Sequence, residues 1–329
     1  MIMKTRLFLL LAWTAWWFSA NAAGERYDIL VAQDGSGDFT SVQEAILSVR
    51  AEMQTRKTIY IKNGVYREKV VVPTWAMNVT LKGESRDGVI IRWSDHANMP
   101  WAETGKKMGT FRTYTLLVQG HGFTAENLTI ENDAPELGQA VALHVEGDRA
   151  SFINCRIIGN QDTIYAGSEK SRQYYENCYI EGTTDYVFGA ATAWFEGCTL
   201  HCKKNSYITA PSTPQYKEYG FFFHRCRVES NAEITKVYLG RPWRPYGMSI
   251  WIDCELNGCV RPEGWDNWRN PDNEKTARFA EYGSRGEGAQ SNKRVTWAET
   301  ASLKKARKYS IERVLGAGDH WNPSVRKQK

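Results

Sequence analysis

An all-β solenoid, in which every winding adds one strand to a parallel sheet, is the architecture this chain's patterning predicts. Cysteine-marked segments carry the first argument. F-I-N-Cys155-R-I, Y-E-N-Cys178-Y-I, F-E-G-Cys198-T-L, F-H-R-Cys226-R-V and W-I-D-Cys254-E-L share an apolar or aromatic lead, a polar pair, Cys, a variable residue and a branched aliphatic. Their spacings of 23, 20, 28 and 28 residues suit one coil of a repeat architecture. The second argument is independent of cysteine: Gln139, Asp162 and Asp185 also recur every 23 residues. The third is a series of short β-prone runs bounded by Gly, Pro and charged turns.

In chain order, Lys4 and Arg6 precede an apolar run, Leu7–Phe18, that ends at Ser19-Ala20-Asn21-Ala22. This reads as a cleaved export signal over residues 1–22, too short to span a bilayer, leaving 23–329 as one domain in a periplasmic or extracellular location. Tyr27–Ala32 reads as a strand, and Gln33–Asp38 as a tight turn, because the Lys-Ser/Thr ending of a phosphate loop is missing. Ser41-Val42-Gln43-Glu44 has the form of a capping box, after which Val42, Ala45, Ile46 and Val49 share one helical face. A short helix there plugs the apolar end of the first coil. Thr58–Ile61, Val70–Val72, Val79–Leu81 and Val89–Ile91 read as strands. From Leu116 to about Cys259 the coil repeat governs, with Asn127-Leu128-Thr129-Ile130 as a copy carrying Leu in place of Cys. Arg261–Asn273 reads as an irregular loop and Ser302–Leu315 as a terminal helix lying over the solenoid.

Composition bounds the partners. With 42 Lys and Arg against 37 Asp and Glu, the net charge is +5, or +3 once Lys4 and Arg6 are removed. That mild excess suits an acidic partner, whereas no basic block points to nucleic acid apart from the short tail Arg326–Lys329. Thirteen Trp and 12% aromatics exceed the ordinary level and divide between core packing and a sugar-binding face. Seven cysteines are an odd number, and five sit at the repeat phase, so they read as an interior ladder of mostly free thiols; bridges Cys198–Cys202 or Cys254–Cys259 stay open. Asn78-Val79-Thr80 and Asn127-Leu128-Thr129 match the glycosylation pattern.

Residues at equal phase on successive coils stack about 4.8 Å apart. Asp162 and Asp185 each follow their coil's cysteine by seven residues, so they share a phase; Gln139 follows Leu128 by eleven, which requires a bulge or longer turn around Asp133–Gly138. Two carboxylates at that separation do not both ionise cheaply, so one holds a proton. No G-x-S-x-G occurs and the six His are scattered, which argues against a serine esterase. No cysteine pair or His cluster has zinc spacing, and the reading contains neither metal nor cofactor.

These residues together resemble the pectin methylesterases, or pectinesterases, a family of right-handed parallel β-helix enzymes. The resemblance runs from Val31 to about Trp321 through V-A-Q-D-G-S-G-D-F at Val31, N-G-V-Y-R-E at Asn63, T-F-R-T-Y-T at Thr110, G-Q-A-V-A-L at Gly138, Q-D-T-I-Y at Gln161, D-Y-V-F-G at Asp185, L-G-R-P-W at Leu239 and A-E-Y-G-S-R-G-E-G-A at Ala280. Tyr186-Val187 stand where many relatives of that family carry Phe-Ile, and Ile164 where many have Leu, leaving the acid and amide groups intact. The resemblance implies a monomer that demethylates pectin, with Asp185 as nucleophile, Arg241 orienting it, Asp162 as general acid and then base, and Gln161 and Gln139 as oxyanion donors. It further implies that Trp243, Tyr165 and Trp265 receive sugar rings and that Thr110 touches substrate. Two other classes stand beside it: another β-helix pectin enzyme, lyase or glycosidase, and a non-catalytic carbohydrate-binding or envelope scaffold. A lyase calls for a calcium-binding cluster of carboxylates, and a decayed scaffold for substitutions at Gln139, Asp162, Asp185 or Arg241.

Overall fold

A computed structural model describes residues 26–316 and 318–325; the export segment and the basic tail lie outside the described residues. What turns the chain at each coil is a residue held in the left-handed region. Asn127, Asn154, Asn177, Gly197, Arg225 and Asp253 have φ between 49° and 60°, and each stands immediately before Leu128, Cys155, Cys178, Cys198, Cys226 or Cys254. Asn, Asp and Gly tolerate this conformation best, which is why the residue before the ladder position is usually one of them. The asparagines also bond to each other, Asn154 Nδ2 donating to Asn127 Oδ1 at 2.8 Å. Asn78 adopts the same conformation and donates to the Met53 carbonyl, so both glycosylation-pattern asparagines are turn residues.

Between Lys57 and Ile252 every winding adds one strand to each of three parallel sheets, which hold eleven, eight and seven strands in all. Neighbours within a sheet are joined through the other two sheets, and such crossovers are right-handed. The chain is therefore a right-handed parallel β-helix. All five strand expectations ahead of the coil repeat fall on observed strands: Ile29–Val31, Lys57–Ile61, Val70–Val72, Val79–Gly83 and Val89–Trp93. Gly64–Tyr66, which the sequence reading does not name as a strand, is a further one.

Inside, side chains of equal phase stack coil on coil. Phe152, Tyr175, Phe195, Phe223 and Trp251 form one continuous pile, with centroids 4.3–4.9 Å apart and rings within 16° of parallel. Beside it runs the cysteine ladder, each thiol donating to a carbonyl of the preceding coil, as Cys178 does to Phe152 at 3.3 Å. All seven cysteines are free and buried. Neither open bridge forms: Cys198 and Cys202 lie at opposite ends of an extended run, roughly 13 Å apart at 3.3 Å per residue, and Cys202 packs instead against the Tyr186 hydroxyl at 3.3 Å. Cys254 belongs to the ladder, bonded to the Phe223 carbonyl, while Cys259 lies past the turn at Asn257.

The ends depart from expectation in detail. Helix Val42–Leu47 packs Val42, Ala45 and Ile46 onto the first coil, and Ser41 caps it. A second carboxylate meets this helix start from outside the box: Glu68 accepts from the Ser41 hydroxyl and from the Val42 and Gln43 N–H groups. At the other end, the helix expected over Ser302–Leu315 is two pieces, a 3-10 turn at Leu303–Lys308 and an α-helix at Ile311–Leu315. Ser310 separates them by N-capping the second piece, and the extended Tyr309 turns its ring onto Phe222. Among the described residues no helix is long and apolar enough to cross a membrane.

The interior pile makes a stability prediction. Phe195→Ala leaves a cavity between Tyr175 and Phe223 and lowers unfolding free energy by about 3–5 kcal/mol, read from the midpoint of a denaturant titration.

Candidate active site

The outer face of the seven-stranded sheet forms the floor of a cleft. Strand register sets Leu117, His144, Tyr165, Phe188 and Ala210 in one column along it. Phe188 faces the cleft from the strand Val187–Gly189, whereas Tyr186, just before that strand, points inward to Cys202. Gly189, with φ 125°, closes the same strand because a Cβ there would stand 2.1 Å from the Ala166 carbonyl oxygen.

Asp162 and Asp185 project where the chain enters this sheet. Ile164 pairs with Val187, the 23-residue interval, so the acids that precede them occupy equal phase on adjacent coils. Both backbones are left-handed, φ 67° and 49°, a conformation Asp tolerates. Each is anchored by its own N–H, Asp162 to the Thr184 carbonyl and Asp185 to that of Tyr207. A cleft of about 250 Å³ opens over them, lined also by Thr110, Gln139, Gln161, Arg241 and Trp243 together with Phe111, Phe188, Ala210 and Trp268.

Gln139 shares the cleft but not the phase. Leu143 pairs with Ile164, two residues short of the expected interval. Glu131 still pairs with Ile158, an interval of 27, so the longer turn expected around Asp133–Gly138 is present; Ala142 and Leu143 then both donate to the Thr163 carbonyl, a bulge that takes up one residue more. Ala140 N–H donates to the Gln161 carbonyl, which sets Gln139 level with Gln161 rather than with Asp162. The two amides thus stand side by side, as do the two acids.

Trp265 is not in the cleft. It is 2% exposed, stacks on Phe279 at 4.6 Å and belongs to the interior core, with its Nε1 lacking a hydrogen-bond partner. The bridge from Trp265 to Gly240 continues the sheet and turns this side chain inward. Three residues on, Trp268 reaches the cleft instead. The motif G-W-D-N-W contains both, and only the phase of the bridge distinguishes them. Tyr165 lies on the floor beside the lined volume, 4.9 Å from Phe188 and 4.8 Å from Phe111. Phe111, exposed at the cleft wall, went unread, since a solitary Phe in T-F-R carries no periodic signal.

The electrostatics of the acids are unequal. Arg241 donates to Asp185 through Nε at 3.0 Å and Nη2 at 2.7 Å, a bidentate bond. Burial lifts the Asp185 carboxyl above its ordinary value, and Arg241 pulls it back down. Asp162 has no such bond to a cation: burial and then the charge of Asp185 push it well above the carboxylate range, against a weaker pull from Arg241 and a hydrogen bond with Gln161. The pair therefore holds its proton on Asp162. A larger cavity of about 620 Å³ lies on a different face, between the eleven-stranded sheet and the C-terminal segment. Of the two carboxylates lining it, Glu196 is already bonded by Trp194, His224 and Arg225, and Glu312 stands in the first turn of the terminal helix; the paired acids are in the cleft.

Comparison with known proteins gives this arrangement its class, a β-helical carboxylic ester hydrolase. The chain belongs to the pectinesterase family, whose model, described as Pectinesterase, matches residues 28–319. Pectinesterase 31 of Arabidopsis thaliana is 41% identical over 275 residues, spanning 82% of this chain and 86% of that protein. Among solved structures, pectin methylesterase from carrot superposes with a TM-score of 0.83 at 30% identity, covering 91% of this chain and 96% of the other. A pectin methylesterase in complex with a hexasaccharide superposes at 0.79 and 30% identity, covering 92% and 100%.

The acid pair makes a prediction that needs no substrate. In a carboxyl-resolved titration by infrared or ¹³C NMR, Asp162 protonates well above 3.8. Asp185→Asn removes the facing charge and brings that midpoint down, while burial still keeps it above the ordinary value.

Proposed function

We propose that this chain hydrolyses the methyl esters of galacturonate units in pectin, giving methanol and pectate, and that it does so as a monomer after export. The observation that carries the proposal is the asymmetric acid pair, one member clamped by Arg241 and the other protonated, beside two side-chain amides. Ester hydrolysis without serine or metal requires a charged oxygen nucleophile, a proton for the departing alkoxide and donors for the oxyanion. The cleft supplies one group for each task.

Asp185, kept ionised by Arg241, attacks the ester carbonyl carbon. The Gln139 and Gln161 amides donate to the oxygen that takes up negative charge. Asp162 gives its proton to the methoxy oxygen as the carbon–oxygen bond breaks, so methanol leaves and an acyl anhydride to Asp185 remains. Now a carboxylate, Asp162 takes a proton from water, whose oxygen attacks the galacturonate acyl carbon. Breaking the anhydride returns Asp185 as a carboxylate and Asp162 as an acid. Trp243 and Trp268 flank the cleft as flat surfaces for sugar rings, and Thr110 closes its rim. The hexasaccharide-bound neighbour supports a polymer running through such a cleft.

Asp185→Asn tests the nucleophile, because Asn also accepts a left-handed backbone. With highly methylated pectin and EDTA, the unaltered chain releases methanol without shortening the polymer or forming unsaturated ends, and the variant loses more than about a thousandfold in kcat. Asp162→Asn strips the proton donor and costs about 10²–10⁴-fold. The pH profile of kcat/KM is a bell: its acid limb, from Asp185, lies above 3.8, and its alkaline limb, from Asp162, lies well above that.

A further inference from the structure

The Arg241 guanidinium is held on its faces as well as its edge. Its Cζ lies 3.8 Å from the centroid of the Tyr207 ring and 3.7 Å from that of Trp268. Two rings that close to one planar cation occupy opposite faces, so the guanidinium is sandwiched while its edge is bonded to Asp185. Trp268 also lines the cleft, but Tyr207 does not. Tyr207 opens the strand Tyr207–Pro211, accepts the Asp185 N–H on its carbonyl at 2.8 Å, and stacks on Tyr238 of the next coil at 5.3 Å. Tyr238 in turn carries Arg261 over its ring at 4.8 Å.

We infer that Tyr207 is a positioning residue of the esterase site: its backbone fixes the main chain of Asp185, and its ring fixes the arginine that aims the Asp185 carboxylate. An arginine side chain has several rotatable bonds, and a bidentate bond to one carboxylate leaves it free to swing out of plane. A ring on each face removes that freedom. Tyr207 achieves this without touching substrate, since it stands behind the cleft, whereas Trp268 combines the clamp with a place in the cleft wall. The sequence shows nothing of this, because Tyr207 begins a strand 34 residues before Arg241.

The inference rests on the ester-hydrolase reading, so the unaltered chain is assayed first; no methanol from methylated pectin removes that reading before any variant is compared. Tyr207→Phe keeps the ring and retains wild-type kcat and pH profile. Tyr207→Leu removes the ring while the backbone bond to Asp185 stays. Its kcat falls about tenfold with KM within about twofold, the scale of one cation–π contact. The charged groups around Asp185 are Arg241, Asp162 and Asp266. Of these only Arg241 stabilises the Asp185 carboxylate, so a loosened Arg241 moves the acid limb of kcat/KM to higher pH. A merely structural loss lowers the melting temperature and leaves that limb in place. Tyr207→Met, unbranched and of similar length, carries the same comparison if the leucine variant does not fold. The inference is overturned by an unmoved acid limb in a folded ring-less variant, or by a phenylalanine variant as impaired as the leucine one.

Discussion

Each coil of this molecule must return to the phase of the one before, and a left-handed residue immediately before each ladder position enforces it. Where that residue is Asn, Asp or Gly, the conformation is inexpensive. Where it is Arg225, the neighbouring coils hold it, its guanidinium bonded to Glu196 of the preceding coil. The aromatic pile and the cysteine ladder follow, because side chains of equal phase meet at one strand spacing and must fit each other. The active cleft follows too. Asp162 and Asp185 face each other only because Ile164 is level with Val187.

That dependence explains how much could be read from the sequence alone. Phase is a one-dimensional property, so the coil repeat, the interior cysteines and the equal phase of the two acids were legible as intervals. What failed were local shifts of phase and contacts between distant coils. The bulge at Ala142–Leu143 moves Gln139 by one residue, and no turn residue announces it. Trp265 and Trp268 differ only in which side of the chain they leave from, and a bridge to Gly240 decides that. The Glu68 bonds at the start of the first helix, and the break before Ser310, are likewise set by partners that local pattern does not contain.

The acid pair is costly to the fold, and the sign of that cost is fixed. A carboxyl whose folded value is raised contributes stability below its unfolded value and loses it as pH rises towards the folded one. Asp162 and Asp185 are both raised, so near neutral pH each holds the native state below what an exposed pair would allow. Arg241 recovers part of this for Asp185 alone. The inequality it creates is chemically useful, because two equal acids would share a proton and leave neither a committed nucleophile nor a committed donor.

Aromatic residues do two different jobs in this solenoid, and composition does not separate them. Inside, Phe152 to Trp251 are parallel and in contact, and their office is to keep coils at one spacing. Outside, Phe111, Tyr165 and Trp243 pack tilted or edge-on about the buried Phe188, leaving part of their own rings uncovered along the cleft. The eleven-stranded sheet has an aromatic outer face as well, Trp194, Phe222 and Tyr282, but the C-terminal segment covers it with Tyr309, Val314 and Leu315. Covering one aromatic face and leaving another open makes one side of a nearly uniform rod a binding surface. The open side is the one where the chain also places its buried acids, so the polymer that lies against the rings is brought over the carboxylates by the same register that formed them.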